Sequence, residues 1–346
     1  MINALTSLRF IFAIMVFGAH CYVIDKFFDA HFFKEGFVGV SFFFVLSGFI
    51  IAYNYQEKLR ENKITRRTFW VARIARIYPL HWLTLFIAAI LGGYVMASGT
   101  LDWLRHFFAS LILMNAYIPK VSYFFSFNSP SWSLCCEQLF YICFPFLLLL
   151  AKNYKHLLCF FGIMAMLTIA GMYFTPEENI KEYWYVNPIT RLPDFLVGML
   201  LFQLYGCLKT KNITLLQGSI IEIVAIALFL AFYLYAAEIP KVYRYSCYYW
   251  LPVAAVLISF SLQKGFVSRI LSNRILIIGG EISYSFYLIH LFILLSYAKW
   301  QKESGFQMEW YFSVPLLFCI IILLSLLSYY YFEKPMNKRI KTLLNK

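Results

Sequence analysis

Acidic side chains are scarce in this chain. Only 17 Asp and Glu stand among 346 residues, against 30 Lys and Arg, and both signs together make up 14%. A soluble domain carries about 25% charged and about 45–50% apolar residues. Here 62% of residues are hydrophobic and the mean hydropathy is +0.69, so an ordinary water-facing surface is excluded and a lipid-facing one is indicated. Nucleic-acid binding needs a basic face on a folded soluble surface, so no nucleic-acid partner is expected despite a net charge of +13. The surplus cations report on membrane topology instead. Internal repeats, heptad seams and low-complexity tracts are also missing, and no long polar insert interrupts the apolar runs. One polytopic domain, 1–335, followed by a basic cytoplasmic tail, 336–346, is the expectation. The opening residues lack a basic stretch and a small-residue cleavage site, so the first apolar run is expected to be retained. The cysteines at 21, 135, 136, 143, 159, 207, 247 and 319 have no metal-ligand spacing, and most lie inside apolar runs, where Cys acts as a small hydrophobe. Neither a metal nor a disulfide framework is expected.

Long apolar runs are abundant. A helix needs about 20 apolar residues to cross a bilayer. Suitable runs occupy 5–24, 36–55, 77–98, 132–151, 156–174, 189–208, 218–237, 247–262, 276–298 and 312–332. They predict an all-α bundle of about ten transmembrane helices with the lipid bilayer as its solvent. A further piece, 107–118, is short and preceded by Asp102, Arg105 and His106. Lys and Arg collect on the cytoplasmic side of membrane proteins. If 107–118 does not cross, the links on one side hold 19 Lys and Arg and those on the other hold 9. Making it a span would put the basic tail outside. It therefore reads as interfacial or re-entrant, with both termini cytoplasmic and the loops 25–35, 99–131, 175–188, 238–246 and 299–311 outside.

The first run holds one arginine, Arg9, and one histidine, His20. An ionisable group inside hydrocarbon costs at least about 2.5 kcal/mol, so by default it marks a functional site. Eleven residues are three helical turns plus about 20°, which puts both side chains on one face about 16 Å apart in depth. One face thus carries a cation toward the cytoplasm and a titratable base toward the outside. The plainer reading has Arg9 reaching to the headgroups and His20 as a packing residue.

Four other places could carry chemistry. WVARIARIYPLHW sets Arg73 and Arg76 at i, i+3, facing one way on a helix. Paired guanidiniums suit phosphate, although such clusters also simply anchor spans to anionic lipid. In SPSWSLCCEQLFY, Glu137 falls beneath the outer surface, where a carboxylate needs a partner; His20 is the candidate, and the two would form a base with its orienting group or a plain interhelical ion pair. In FFFVLSGFII the small pair Ser47 and Gly48 suits a close helix contact. Arg191 and Asp194 at i, i+3 suggest an intrahelical ion pair. Glu222 reads as a membrane-edge residue, His81 and His290 as bonded packing histidines, and His31, His106 and His156 as interfacial.

Taken in chain order, these pieces resemble one family. Arg9 and His20 form an R-x10-H pair. FFFVLSGFI, R-x-x-R at Arg73 and Arg76, SWSLCCEQLFY, RLPDFLVGML, ISYSFYLIH and FEKP follow. The set is similar to the membrane acyltransferase-3 family, the integral-membrane O-acyltransferases that modify bacterial surface sugars, over essentially 1–335. The resemblance implies acyl-CoA, usually acetyl-CoA, as cytoplasmic donor. It implies a glycan or lipid-linked sugar acceptor such as lipopolysaccharide O-antigen, exopolysaccharide or peptidoglycan, and a multi-pass place in the inner membrane. It casts Arg9 and His20 as the core functional pair, Arg73 and Arg76 as donor-binding, and Glu137 as an active-site carboxylate. Some relatives carry an extra extracytoplasmic SGNH-type hydrolase domain, which is not expected here, so direct transfer or hand-off to a separate protein remains. A membrane transporter moving a glycan or acyl intermediate without forming an ester is the alternative. The adjacent Cys135 and Cys136 are unusual fillers of their motif.

Overall fold

The structure is a computed structural model and describes residues 2–91 and 95–344. It is a helical bundle, and no extended strand occurs among the described residues. The main helices are α1 (Asn3–His20), α2 (Val38–Arg60), α3 (Arg66–Ile90), α4 (Trp132–Leu150), α5 (Tyr154–Phe174), α6 (Leu192–Leu208), α7 (Leu215–Tyr235), α8 (Trp250–Leu262), α9 (Arg274–Ser304) and α10 (Trp310–Ser328). Seven stretches, those of α1, α2, α4, α5, α7, α9 and α10, are long and apolar enough to cross a bilayer; α6 and α8 are shorter apolar helices. The remaining helix, α3, is 25 residues long but opens with four arginines, which lowers its hydropathy. Each of the ten expected runs lies on one of these helices. The run 77–98 leaves the helix after Ile90, and its residues 92–94 lie outside the described residues.

The 107–118 piece does not cross. It begins within the 12-residue helix Thr100–Leu111, about 18 Å long against about 30 Å of hydrocarbon. That helix ends against α3, where His81 Nε2 bonds Ser110 O at 2.8 Å and Trp82 Nε1 donates to Leu111 O at 3.0 Å. Carbonyls at a helix end have no partner within the helix, and these two side chains supply one.

Two close crossings place the functional helices. Helices associate in lipid through tight packing, so small residues collect where backbones meet. A Cβ on Gly48 would overlap the Phe195 carbonyl, and one on Gly198 the Val45 carbonyl, so α2 and α6 touch backbone to backbone. The small pair read at Ser47 and Gly48 is this contact. On the other side, a Cβ on Gly280 would overlap the Thr6 carbonyl, which presses α9 onto α1.

Prolines bend two helices without leaving orphan carbonyls. Proline lacks an N–H, so the carbonyl four residues earlier is freed. Pro79 frees Ala75 O, which accepts from Asn337 Nδ2 at 3.0 Å. Pro145 frees Tyr141 O, which accepts from Trp70 Nε1 at 3.0 Å. The first bond ties the C-terminal helix, Lys334–Leu344, to α3.

Several buried charges are structural. Arg191 and Asp194 are fully buried and pair at 2.8 Å. Glu222 is buried and accepts from Gly265 N at 3.0 Å and Ser268 N at 3.1 Å, which closes the start of the helix Phe266–Leu271. His106 is also buried, its ring stacked on Tyr123 with centroids 3.8 Å apart.

Candidate active site

Three cavities follow one another through the bundle. The inner one, about 350 Å³, is lined by Arg9, Ser47, Arg73, Arg76, Glu137, Tyr141 and Tyr284. The outer one, about 590 Å³, holds His20 together with residues of the loops assigned outside. A neck of about 60 Å³ lies between them. It shares Arg9, Phe43, Glu137 and Tyr284 with the inner cavity and Val40 and Tyr287 with the outer one. The R-x10-H spacing on α1 therefore sets one group at each end of this path.

His20 ends α1, where the helix tightens into the turn Cys21–Val23. Its Nδ1 lies 2.9 Å from Val16 O and 3.1 Å from His290 Nε2. The ring of His290 is fixed in turn, with Nδ1 2.7 Å from Tyr287 O. A carbonyl oxygen can only accept. His290 therefore carries its proton on Nδ1 and offers a bare Nε2. Both neighbours of His20 Nδ1 are then acceptors, so the His20 proton sits on Nδ1 and its Nε2 keeps a free lone pair. That is the tautomer a general base needs.

Glu137 does not orient His20. Its Oε2 accepts from Tyr141 OH at 2.6 Å, and it lines the inner cavity and the neck beside Arg9. The expected His20–Glu137 pairing fails because Glu137 lies one turn into α4 and faces the arginines, while His20 faces the outer cavity. His290 has the place the sequence reading gave to Glu137. It is buried and bonded, as expected of a packing histidine, and its Nε2 also reaches His20; the signal for that is its position on the ISYSFYLIH face with Ser283 and Tyr287, both of which line the neck.

The two arginines of R-x-x-R both reach the inner cavity but differ in their partners. Arg73 donates to Tyr55 OH at 3.0 Å and lies over the rings of Tyr55 and Tyr141, 5.0 and 5.6 Å from their centroids. Among the described residues no carboxylate pairs with it. Arg76 is ion-paired with the buried Glu333 of the FEKP segment, which also accepts from Ser285 Oγ at 2.9 Å. Glu333 was not singled out in the sequence, although it stands in a motif placed at the end of the last span. Cys135 lies 3.1 Å from Asn115 Oδ1 and Cys136 3.6 Å from Val186 O, so both are buried donors between α4 and its neighbours.

This arrangement sets guanidiniums suited to an anion at one end of the path and an imidazole suited to a hydroxyl proton at the other. The family model described as an acyltransferase domain matches residues 2–333. The chain belongs to that acyltransferase family. It is 29% identical to the acyltransferase MdmB of Streptomyces mycarofaciens over 89% of this chain and 83% of that protein. It is 27% identical to the "Putative O-acetyltransferase SAS0844" of Staphylococcus aureus over 94% of this chain and 56% of that one. The "Putative peptidoglycan O-acetyltransferase YrhL" of Bacillus subtilis is also 27% identical, over 87% of this chain and 50% of that protein. The chain thus spans about half the length of the latter two. No solved structure matches it. As a member of this family with its apolar helices, it is a multi-pass membrane acyltransferase.

Proposed function

We propose that this acyltransferase moves an acyl group, acetyl in the first instance, from acyl-CoA to a hydroxyl of a cell-surface glycan at the bacterial inner membrane. The observation that carries the reading is the pair of cavities that face opposite ways and meet at one narrow neck, with arginines at one end and a correctly protonated histidine at the other. Donor phosphates would rest on Arg73, whose guanidinium has no carboxylate partner among the described residues, with Arg9 deeper in the same cavity. Arg76, held by Glu333, would shape that cavity more than bind the donor. The thioester arm would thread the neck. His20 Nε2 would take the proton of the sugar hydroxyl as its oxygen attacks the thioester carbonyl. The C–S bond breaks, an ester forms, and the imidazolium returns its proton to the leaving thiolate. Positioned base catalysis contributes about 10²–10⁴ in rate.

The test is transfer of labelled acetyl from acetyl-CoA to surface glycan by His20→Ala and His20→Gln, at matched membrane levels. Both should lose transfer by at least about 10². Wild-type transfer by either would end the proposal. Arg73→Ala should weaken acetyl-CoA binding while leaving glycan binding alone.

A further inference from the structure

The outer cavity has a charge pattern of its own. Two carboxylates line it, Asp29 and Glu35, and four cations, Lys34, Lys181, Lys241 and Arg244. Each carboxylate already has a cation. Asp29 pairs with Lys34 at 2.9 Å, and Glu35 pairs with Arg244 and accepts from Tyr249 OH at 2.7 Å. Lys181 and Lys241 remain, and among the described residues neither has a carboxylate within ion-pair distance. They come from different connections, 175–188 and 238–246, and converge on one concavity. Each rests on an aromatic wall: Lys181 Nζ is 5.0 Å from the Phe125 ring centroid and Lys241 Nζ 5.8 Å from that of Tyr245. Their ammonium groups are held below the usual lysine range, first by partial burial and then by neighbouring cations, Lys241 for Lys181 and Arg244 for Lys241, with Glu182 and Glu35 respectively offsetting only part of the effect. Two mutually repelling cations in a cleft are stabilised when an anion comes between them.

The rest of the lining suits a sugar. Trp132, Tyr185 and Tyr245 line one side of the cavity, packed on one another at tilts of 50° and 34° with ring centroids 4.6 Å apart in each pair, so that their edges rather than open ring faces meet it. Aromatic edges with a hydroxyl or an indole N–H suit a ligand that is partly apolar and partly hydroxylated, as a sugar is. We propose that the outer cavity binds an anionic glycan, one bearing a carboxylate or a phosphate, with Lys181 and Lys241 holding the anion and the aromatic wall holding the sugar that meets His20. The identity of this ligand as the acyl acceptor rests on the transfer reading above; the binding does not.

The experiment uses the full chain in nanodiscs of phosphatidylcholine, without acyl-CoA. Labelled tetragalacturonate, phosphorylated maltotetraose and neutral maltotetraose are titrated at low salt. One of the two anionic probes should bind about tenfold more tightly than the neutral one, and the tighter of them names the anion. Lys181→Gln with Lys241→Gln should erase that preference and leave maltotetraose within about twofold, while the paired Arg substitutions restore it. His20→Ala should keep the preference, so a failed transfer reading and a failed binding reading separate. Equal binding of all three probes, or a preference untouched by the Gln pair, would overturn the proposal. So would loss of the preference on adding phosphatidylglycerol, since the lysines would then serve a lipid headgroup.

Discussion

Replacing His290 by phenylalanine separates a positioning role from a chemical one. The ring is kept, and with it the parallel packing on Phe286 at 6.1 Å between centroids. Toward His20, what disappears is one acceptor, Nε2, 3.1 Å from His20 Nδ1; the variant also loses the Nδ1–H bond to Tyr287 O, which held the His290 ring itself. The other acceptor, Val16 O at 2.9 Å, belongs to the backbone of α1 and survives. His20 should therefore stay in the same tautomer with one bond fewer to hold its ring. A single hydrogen bond contributes about 0.5–1.5 kcal/mol net. At about 1.36 kcal/mol per tenfold, that is a loss of about 2- to 13-fold in transfer rate. Removing His20 should cost about 10²–10⁴. The assay is transfer of labelled acetyl into glycan by membranes carrying matched amounts of each variant, with kcat and KM for acetyl-CoA separated. The expected change lies in kcat. If His290→Phe were as inactive as His20→Ala, His290 would itself be the base. If it were fully active, the bond between the rings would do nothing. Either result refutes the assignment.

Two further outcomes follow from particular contacts. Glu333→Gln removes the charge that faces Arg76 and weakens the bond from Ser285; breaking a buried pair costs about 3–5 kcal/mol, and the partial exposure of Arg76 places this case nearer the lower end. Thermal unfolding in detergent should fall for Glu333→Gln and for Arg76→Gln, and the double variant should lose clearly less than the sum, whereas strict additivity would mean the two do not interact. Gly198→Ala should push its methyl into the Val45 carbonyl and force α2 and α6 apart, at about 1–3 kcal/mol. A lowered melting midpoint with reduced membrane yield is expected, and a neutral outcome would contradict the backbone contact.

Much of this architecture was open to a reader of the chain alone, for a physical reason. Bilayer thickness fixes the length of each apolar run, so α1 to α10 could be found one at a time. The lysine and arginine asymmetry argues against a span at 107–118, and the helix found there is too short for one. The position of Arg9 and His20 on one face needed only helical geometry within one segment. What could not be read was which helices meet. Glu137 was assigned to His20 on depth alone, but depth says nothing about rotation around the bundle axis. The glycine at 280 draws α9 onto α1 and so brings His290 to His20, while α4 turns Glu137 toward the arginines. The partners of Glu222 are hidden from the sequence for a similar cause: they are backbone N–H groups 43 and 46 residues away. Pairing across long sequence separation is decided by packing, and the pattern within one helix carries little of it.

The neck governs how the two ends of the site can work together. At about 60 Å³ it has room for about two waters at their liquid volume. In the proposed reaction the thioester arm, a single chain of atoms, is the part of the donor that would enter it. Phe43, Tyr284 and Tyr287 line the constriction, and aromatic side chains yield by rotation about two torsions without moving a helix. In the proposed reaction the same rings would keep bulk water from the thioester carbonyl until an acceptor hydroxyl is in place, and excluding water is what separates transfer from hydrolysis. The ordering of side chains along the path fits that reading: guanidiniums in the inner cavity, aromatics in the neck, and His20 where the path opens into the outer cavity.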